Sequence, residues 1–134
     1  MKVGLIGFGK TGRSVASAIL QNCELRLEWV LRKTTQLNQR SVPEFLGIES
    51  NEPGLIYSSS TMSMEALLDK HPVEVIIDFS SSQGIHTYGK IASKKNITII
   101  SAISHYPEKE QALLKELSLK TTVFWSPNIT LGVN

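Results

Sequence analysis

Apolar residues in this chain alternate between short continuous runs and stretches where they recur every three or four positions, the signature of buried strands interleaved with one-faced helices. Val3, Leu5 and Ile6 make the first run, and Val15, Ala16, Ile19 and Leu20 then fall on one side of a helix predicted over 11–22. A second strand is predicted over 25–31, where Trp29-Val30-Leu31 is continuously apolar, as in a parallel sheet covered on both faces. Pro43, Gly47, Pro53 and Gly54 break the stretch 36–53, which predicts loop with one turn of helix. Leu55-Ile56-Tyr57 is a short third strand. Serines in 58–63 offer helix caps, and Met64, Leu67 and Leu68 form the apolar side of a helix stopped by His71-Pro72. The pair Met62 and Met64 reads as core packing. The strongest strand runs over 73–79, followed by Ser80-Ser81-Ser82 and a helix over 83–94 whose Ile85, Tyr88, Ile91 and Ala92 face the sheet. A fifth strand over 97–100, a helix over 107–119 and a sixth strand over 122–125 complete the pattern. Strands alternate with helices throughout, which predicts a single α/β domain built on a doubly wound parallel sheet with right-handed crossovers.

Composition changes this picture little. The chain has 134 residues, 41% hydrophobic and 19% charged, the profile of one globular domain with a real core. Its net charge of +2 is spread without a basic block, so neither nucleic acid nor a membrane surface has electrostatic support as a partner. No signal-peptide pattern opens the chain and no run of about eighteen apolar residues interrupts it, so the expected location is cytoplasmic. The single cysteine, Cys23, suits a reducing compartment and is expected to be a buried apolar filler near a helix end.

In a doubly wound sheet, ligands bind outside the carboxyl ends of the strands. The first such end carries Gly7-Phe8-Gly9-Lys10-Thr11-Gly12, a dinucleotide fingerprint of the Rossmann type placed directly between a strand and a helix. Gly7 permits the tight turn, Gly9 lets backbone approach a pyrophosphate, and Gly12 lets the helix sit close to the strand. The phosphates would lie on free N–H groups at the positive end of the helix. At the end of the second strand, where an acid would bind the ribose 2′-OH, stand Arg32 and Lys33, which would instead pair with a 2′-phosphate, with Thr34 and Thr35 adding hydroxyls. This favours NADP(H), with NAD as the alternative. Glu28 is the competing acid if the strand is shifted, and a solvated loop is the alternative reading of Arg32-Lys33. Asp78 is expected to accept loop N–H groups. Phe79 and Ser80 follow at the crevice for the nicotinamide half, the one as a packing ring and the other as a hydroxyl contact.

His71 and His86 read as surface or packing residues, whereas His105 follows the fifth strand and is a candidate ligand contact. The histidines are dispersed, so no metal site is expected, and no nucleophile elbow is present.

Three segments resemble the N-terminal domain of dihydrodipicolinate reductase, the lysine and diaminopimelate pathway enzyme. They are Leu5 to Arg13, with Thr11 where the family commonly has Met; Ile77-Asp78-Phe79-Ser80; and Ser126-Pro127-Asn128-Ile129-Thr130-Leu131-Gly132-Val133-Asn134, with Ile129 in an aromatic place. The resemblance implies that Gly7 to Gly12 cradle the pyrophosphate of NADP or NAD and that Ser126, Asn128 and Ile129 approach the nicotinamide. It implies an oxidoreductase passing hydride to a cyclic imine or enamine-type substrate held by a second domain that this chain lacks, so that the chain alone is inactive and supplies no general acid or base. It also implies a homo-oligomer assembled largely through that second domain. The family's Gly-Thr-Thr-Gly after the fifth strand is replaced by Ser101-Ala102-Ile103-Ser104, which restricts the backbone and removes a hydroxyl that could bind a carboxylate. Two alternatives stand beside this reading: a stand-alone nucleotide-binding or regulatory module, and the first domain of another amino-acid dehydrogenase, such as a diaminopentanoate or homoserine type.

Overall fold

Every apolar run of the sequence becomes a strand of one sheet. The computed structural model describes residues 1–34 and 39–125. In chain order the elements are β1 (Lys2–Ile6), α1 (Lys10–Leu20), β2 (Arg26–Arg32), α2 (Val42–Leu46), β3 (Leu55–Ser58), α3 (Met64–Lys70), β4 (Val75–Asp78), α4 (Ile85–Lys94), β5 (Thr98–Ser101), α5 (Glu108–Ser118) and β6 (Val123–Trp125). The strands lie in the order β3-β2-β1-β4-β5-β6, all parallel. The chain therefore reverses direction across the sheet between β1 and β4, and the loops leaving those two strands part to form a crevice. Among the described residues no helix is long and apolar enough to cross a membrane.

Each face of the sheet carries its own core. Val3, Leu5, Leu27, Val30 and Ile56 pack with Ala16 and Ile19 of α1 and Val42 of α2. On the other face Ile6, Trp29, Leu31, Tyr57, Ile76 and Ile99 pack with Leu67 of α3, Tyr88 of α4 and Leu117 of α5. Leu27 and Trp29 lie two residues apart yet face opposite cores, which simple strand alternation forbids. A bulge explains it: Val3 pairs with Leu27 and the adjacent Gly4 with Trp29, leaving Glu28 as the extra residue. The Glu28 carboxylate is held there by Arg26 Nε at 2.7 Å. Gly4 is small because the Trp29 indole lies against it, where a Cβ would collide with the ring. The indole N–H donates to the His71 carbonyl at 3.0 Å.

Helix starts follow local chemistry. Ser63 Oγ accepts from Ala66 N at 3.1 Å to cap α3, and Ser41 with Pro43 opens the short α2, which Gly47 closes at φ 71°. That helix occupies the region predicted as loop with one turn. Cys23 departs from expectation. It is exposed, because α1 ends at Leu20 and Cys23 falls in the polar turn before β2. β2 also runs one residue further than the apolar pattern indicates, since Arg32 pairs with Ser58 of β3.

Candidate functional site

The glycine turn is built by contacts that admit no side chain at two of its positions. Gly7 has φ +101°, and its N–H donates to the Leu31 carbonyl at 2.8 Å. A Cβ at Gly12 would stand 2.7 Å from the Gly7 carbonyl oxygen, so α1 packs on the turn itself. Gly9 differs. It is the N-cap of α1, without a side-chain cap, and a Cβ there would meet nothing within 4 Å. The first-turn N–H groups of an eleven-residue helix are thus aimed outward past an open glycine, with no acidic residue in that turn. Lys10, the first helical residue, is exposed and lines neither of the clefts described below.

A residue to which the sequence pattern assigned no role fixes the turn from behind. The Arg13 guanidinium lies 5.1 Å from the Phe8 ring centroid and 5.0 Å from that of Phe45, and its Nε donates to the Phe8 carbonyl at 3.3 Å. The Phe8 side chain, 4% exposed, belongs to the core beside α2.

The turn opens onto a cleft of about 350 Å³ lined by Gly7, Phe8, Gly9, Arg32, Lys33, Thr34, Ser59, Phe79, Ser80, Ser81 and Gly84, among others. Arg32 and Lys33 therefore share one cavity with the glycine turn, and no carboxylate lines it among the described residues. Their backbone is pinned by β3: Ser59 N–H donates to the Arg32 carbonyl at 2.8 Å and Ser58 Oγ to the Lys33 carbonyl at 3.1 Å. Glu28 is remote from this edge, four residues back along β2, buried and paired with Arg26. Ser59 in the wall was not anticipated, although the serine run after the third strand was its signal.

A second cleft, about 330 Å³, lies on the other side of Phe79, Ser80 and Ser81 and is completed by Thr11, Ser82 and the loop from Ala102 to His105. His105 is exposed at its rim, as its position after β5 predicts. His71 instead meets the Tyr57 hydroxyl at 3.2 Å, and His86 meets the buried Glu110 at 2.8 Å, both away from the clefts. Ser126, Asn128 and Ile129 lie outside the described residues, as does Thr35.

Beneath the shared wall runs a buried polar network. Asp78 is fully buried, and its Oδ1 accepts Ser80 N–H at 2.8 Å and Ser80 Oγ–H at 2.6 Å. Its Oδ2 accepts the Tyr88 hydroxyl at 2.7 Å. Nearby, the Tyr106 hydroxyl meets Ser101 Oγ at 2.6 Å. Burial pushes the Asp78 carboxyl up, against the pull of the Ser80 and Tyr88 hydrogen bonds. Burial, reinforced by the nearby carboxylate, holds Tyr88 well above the ordinary phenol range and pushes Tyr106 up to about 12. The loop that replaces Gly-Thr-Thr-Gly turns its polar groups inward. Ala102 N–H donates to the Asp78 carbonyl at 2.9 Å, and the Ile103 carbonyl accepts Trp125 Nε1–H at 2.8 Å.

Comparison with known proteins places this geometry. Residues 1–129 match the family described as dihydrodipicolinate reductase, N-terminus. The chain is 25% identical over 126 residues to the 4-hydroxy-tetrahydrodipicolinate reductase of Oleidesulfovibrio alaskensis, covering 94% of this chain and 44% of that protein. It is 29% identical over 119 residues to the enzyme of that name from Caldanaerobacter subterraneus, covering 87% and 45%. The chain thus spans about half the length of these curated relatives. Among solved structures, a dipicolinate-bound dihydrodipicolinate reductase from Paenisporosarcina superposes with a TM-score of 0.63 at 14% identity, over 88% of this chain and 43% of that one. A Rex-family repressor superposes equally well, with a TM-score of 0.63 at 10% identity, over 92% and 51%. These likenesses show the shared doubly wound fold.

Proposed function

The chain belongs to the dihydrodipicolinate reductase N-terminus family, and from that premise we propose that it is the nicotinamide-dinucleotide-binding domain of a reductase, with a preference for NADP(H). Backbone N–H groups of the first turn of α1 receive the pyrophosphate, Gly7 shapes the turn that leads to them, and Gly9 leaves room for the approach. Arg32 and Lys33, with Thr34, pair with the 2′-phosphate. Phe79 and Ser80 meet the nicotinamide half, and Ser126, Asn128 and Ile129 complete that side. The bound cofactor supplies hydride, and the chain's part is to hold and orient it toward a cyclic imine-type substrate. Substrate recognition is assigned to the half of the relatives that this chain does not span. The observation that carries the reading is that the glycine turn and the Arg32-Lys33 pair line one cleft free of carboxylates among the described residues.

Titration with NADPH and NADH tests it. Arg32→Ala is expected to weaken NADPH about tenfold or more, the scale of one charge-assisted hydrogen-bonded contact, while leaving NADH unchanged, and Lys33→Ala to act the same way. Equal affinities for both cofactors, insensitive to both substitutions, would overturn the 2′-phosphate assignment. The inward-turned polar groups of the Ser101–Ile103 loop favour one second reading, a nucleotide-binding module that does not act on the family's substrate. Reductase assays with dihydrodipicolinate, run on the protein as the cell makes it, decide between the two.

A further inference from the structure

Ser80 stands on the wall shared by both clefts, and its proton is already committed. Three donors converge on the buried Asp78 carboxylate: Ser80 N–H, Ser80 Oγ–H and the Tyr88 hydroxyl. That convergence fixes the direction of every bond to Asp78. Tyr88 has one proton and gives it to Asp78, so it takes no proton from the carboxylate and leaves Ser80 the sole hydroxyl donor on Oδ1. At the cleft end the same direction leaves Ser80 Oγ with lone pairs and no proton to offer. Gly84 supports the placement. Its φ of −59° is open to any residue, yet a Cβ there would run into Ser80 Oγ and stand 3.3 Å from Asp78 Oδ2, so glycine is present to seat the hydroxyl.

We propose that Ser80 Oγ is a dedicated hydrogen-bond acceptor that selects a donor on the nicotinamide nucleoside, and that Asp78 is the positioning residue enforcing this polarity. The inference rests on the dinucleotide reading above. Two donors share the required chemistry, the carboxamide NH₂ and a hydroxyl of the adjoining ribose. An acceptor-only serine favours either over a group that can only accept.

The test compares affinities of this chain for NADP⁺, for its 3-acetylpyridine analogue, which lacks the NH₂ donor, and for its 2′-deoxy nicotinamide-ribose analogue. The wild-type chain is expected to bind NADP⁺ about 2- to 12-fold tighter than one of the analogues, the range of a single neutral hydrogen bond, and the discriminated analogue identifies the donor. Ser80→Ala, a change at an exposed residue, abolishes that ratio. Asp78→Ala, if it folds as judged by circular dichroism, releases the Ser80 proton and abolishes the ratio with Ser80 still present, whereas Asp78→Asn, whose amide oxygen still accepts from Ser80, retains it. Retention of the ratio in Ser80→Ala, or failure of the wild-type chain to discriminate either analogue, overturns the proposal. Binding of 2′-phosphoadenosine 5′-diphosphate, which keeps the pyrophosphate and lacks the whole nicotinamide nucleoside, separates the two levels. If it binds equally to wild type and Ser80→Ala, the dinucleotide reading survives whatever the analogues show; if the wild-type chain binds neither it nor NADP⁺, both readings fall together.

Discussion

Two alanine substitutions three residues apart in the glycine turn have opposite expected consequences. At Gly12 an added Cβ stands 2.7 Å from the Gly7 carbonyl oxygen and 3.2 Å from its carbon, whereas ordinary contact begins at 3.4 Å, so the turn must yield by about 0.7 Å. It has little room to do so. The Gly7 N–H is bound to the Leu31 carbonyl, and Gly7 already abuts the Phe79 and Ser80 backbone. Intrinsic helix preference alone would make Gly12→Ala stabilising by about 1 kcal/mol. Overpacking against rigid backbone costs about 1–3 kcal/mol, and with no flexible side chain to give way the upper part of that range applies. The net expectation is a loss of about 1–2 kcal/mol. At Gly9, with φ −80° and ψ −164°, alanine is conformationally acceptable and its methyl meets nothing within 4 Å, so stability stays within about 1 kcal/mol, the scale of an N-cap exchange. Its methyl would instead occupy the approach of the pyrophosphate and weaken NADPH about tenfold or more. Urea denaturation followed by circular dichroism gives the stabilities, and fluorescence titration gives the affinities. A Gly12→Ala protein as stable as wild type, or a Gly9→Ala protein that binds NADPH normally, would refute the reasoning.

Alanine in place of Arg13 removes the cation held between Phe8 and Phe45 and is expected to lower stability by about 1 kcal/mol in the same denaturation assay. Because burial raises the Asp78 pKa, the native state binds its proton more readily than the unfolded chain. This group's contribution is therefore greatest below the ordinary value of 3.8 and declines as pH rises through the folded value. Urea midpoints measured from pH 4 upward should accordingly show a decline in wild type that is reduced in Asp78→Asn; parallel curves would contradict it. Tyr106, raised from 10.0 to about 12 by burial, stabilises the neutral native state at pH values below 10, and that contribution is lost as pH rises through 12. Tyr106→Phe should show a shallower alkaline loss over that interval, and an unchanged alkaline profile would argue against it.

The order of strands and helices, the glycine turn and the cationic pair at the end of β2 were legible in the sequence because each depends on near neighbours. Period-two and period-3.6 patterns, capping serines and a glycine that must adopt positive φ express local constraints that survive in a linear string. Other features depend on which distant segments meet. The Glu28 bulge sends Leu27 and Trp29 to opposite cores, an outcome decided by pairing with Val3 and Gly4 rather than by β2 itself. The exposure of Cys23 follows from where α1 stops. Arg13 acquires its role only when α2 brings Phe45 alongside Phe8, and Ser59 enters the first cleft only because β3 pairs with β2. The bonds that Ser80 and Tyr88 donate to Asp78 join residues from β4, α4 and the loop after β4. Nothing in their spacing signals them, because a hydrogen bond's polarity is set by whichever partner the fold delivers. The sequence by itself determined a doubly wound domain with a dinucleotide turn and a cation-bearing strand end. Tertiary structure decided that these share one cleft and that a buried carboxylate takes the proton of the serine between the two clefts, since burial and non-local contact assign donors and acceptors that the isolated residues leave open.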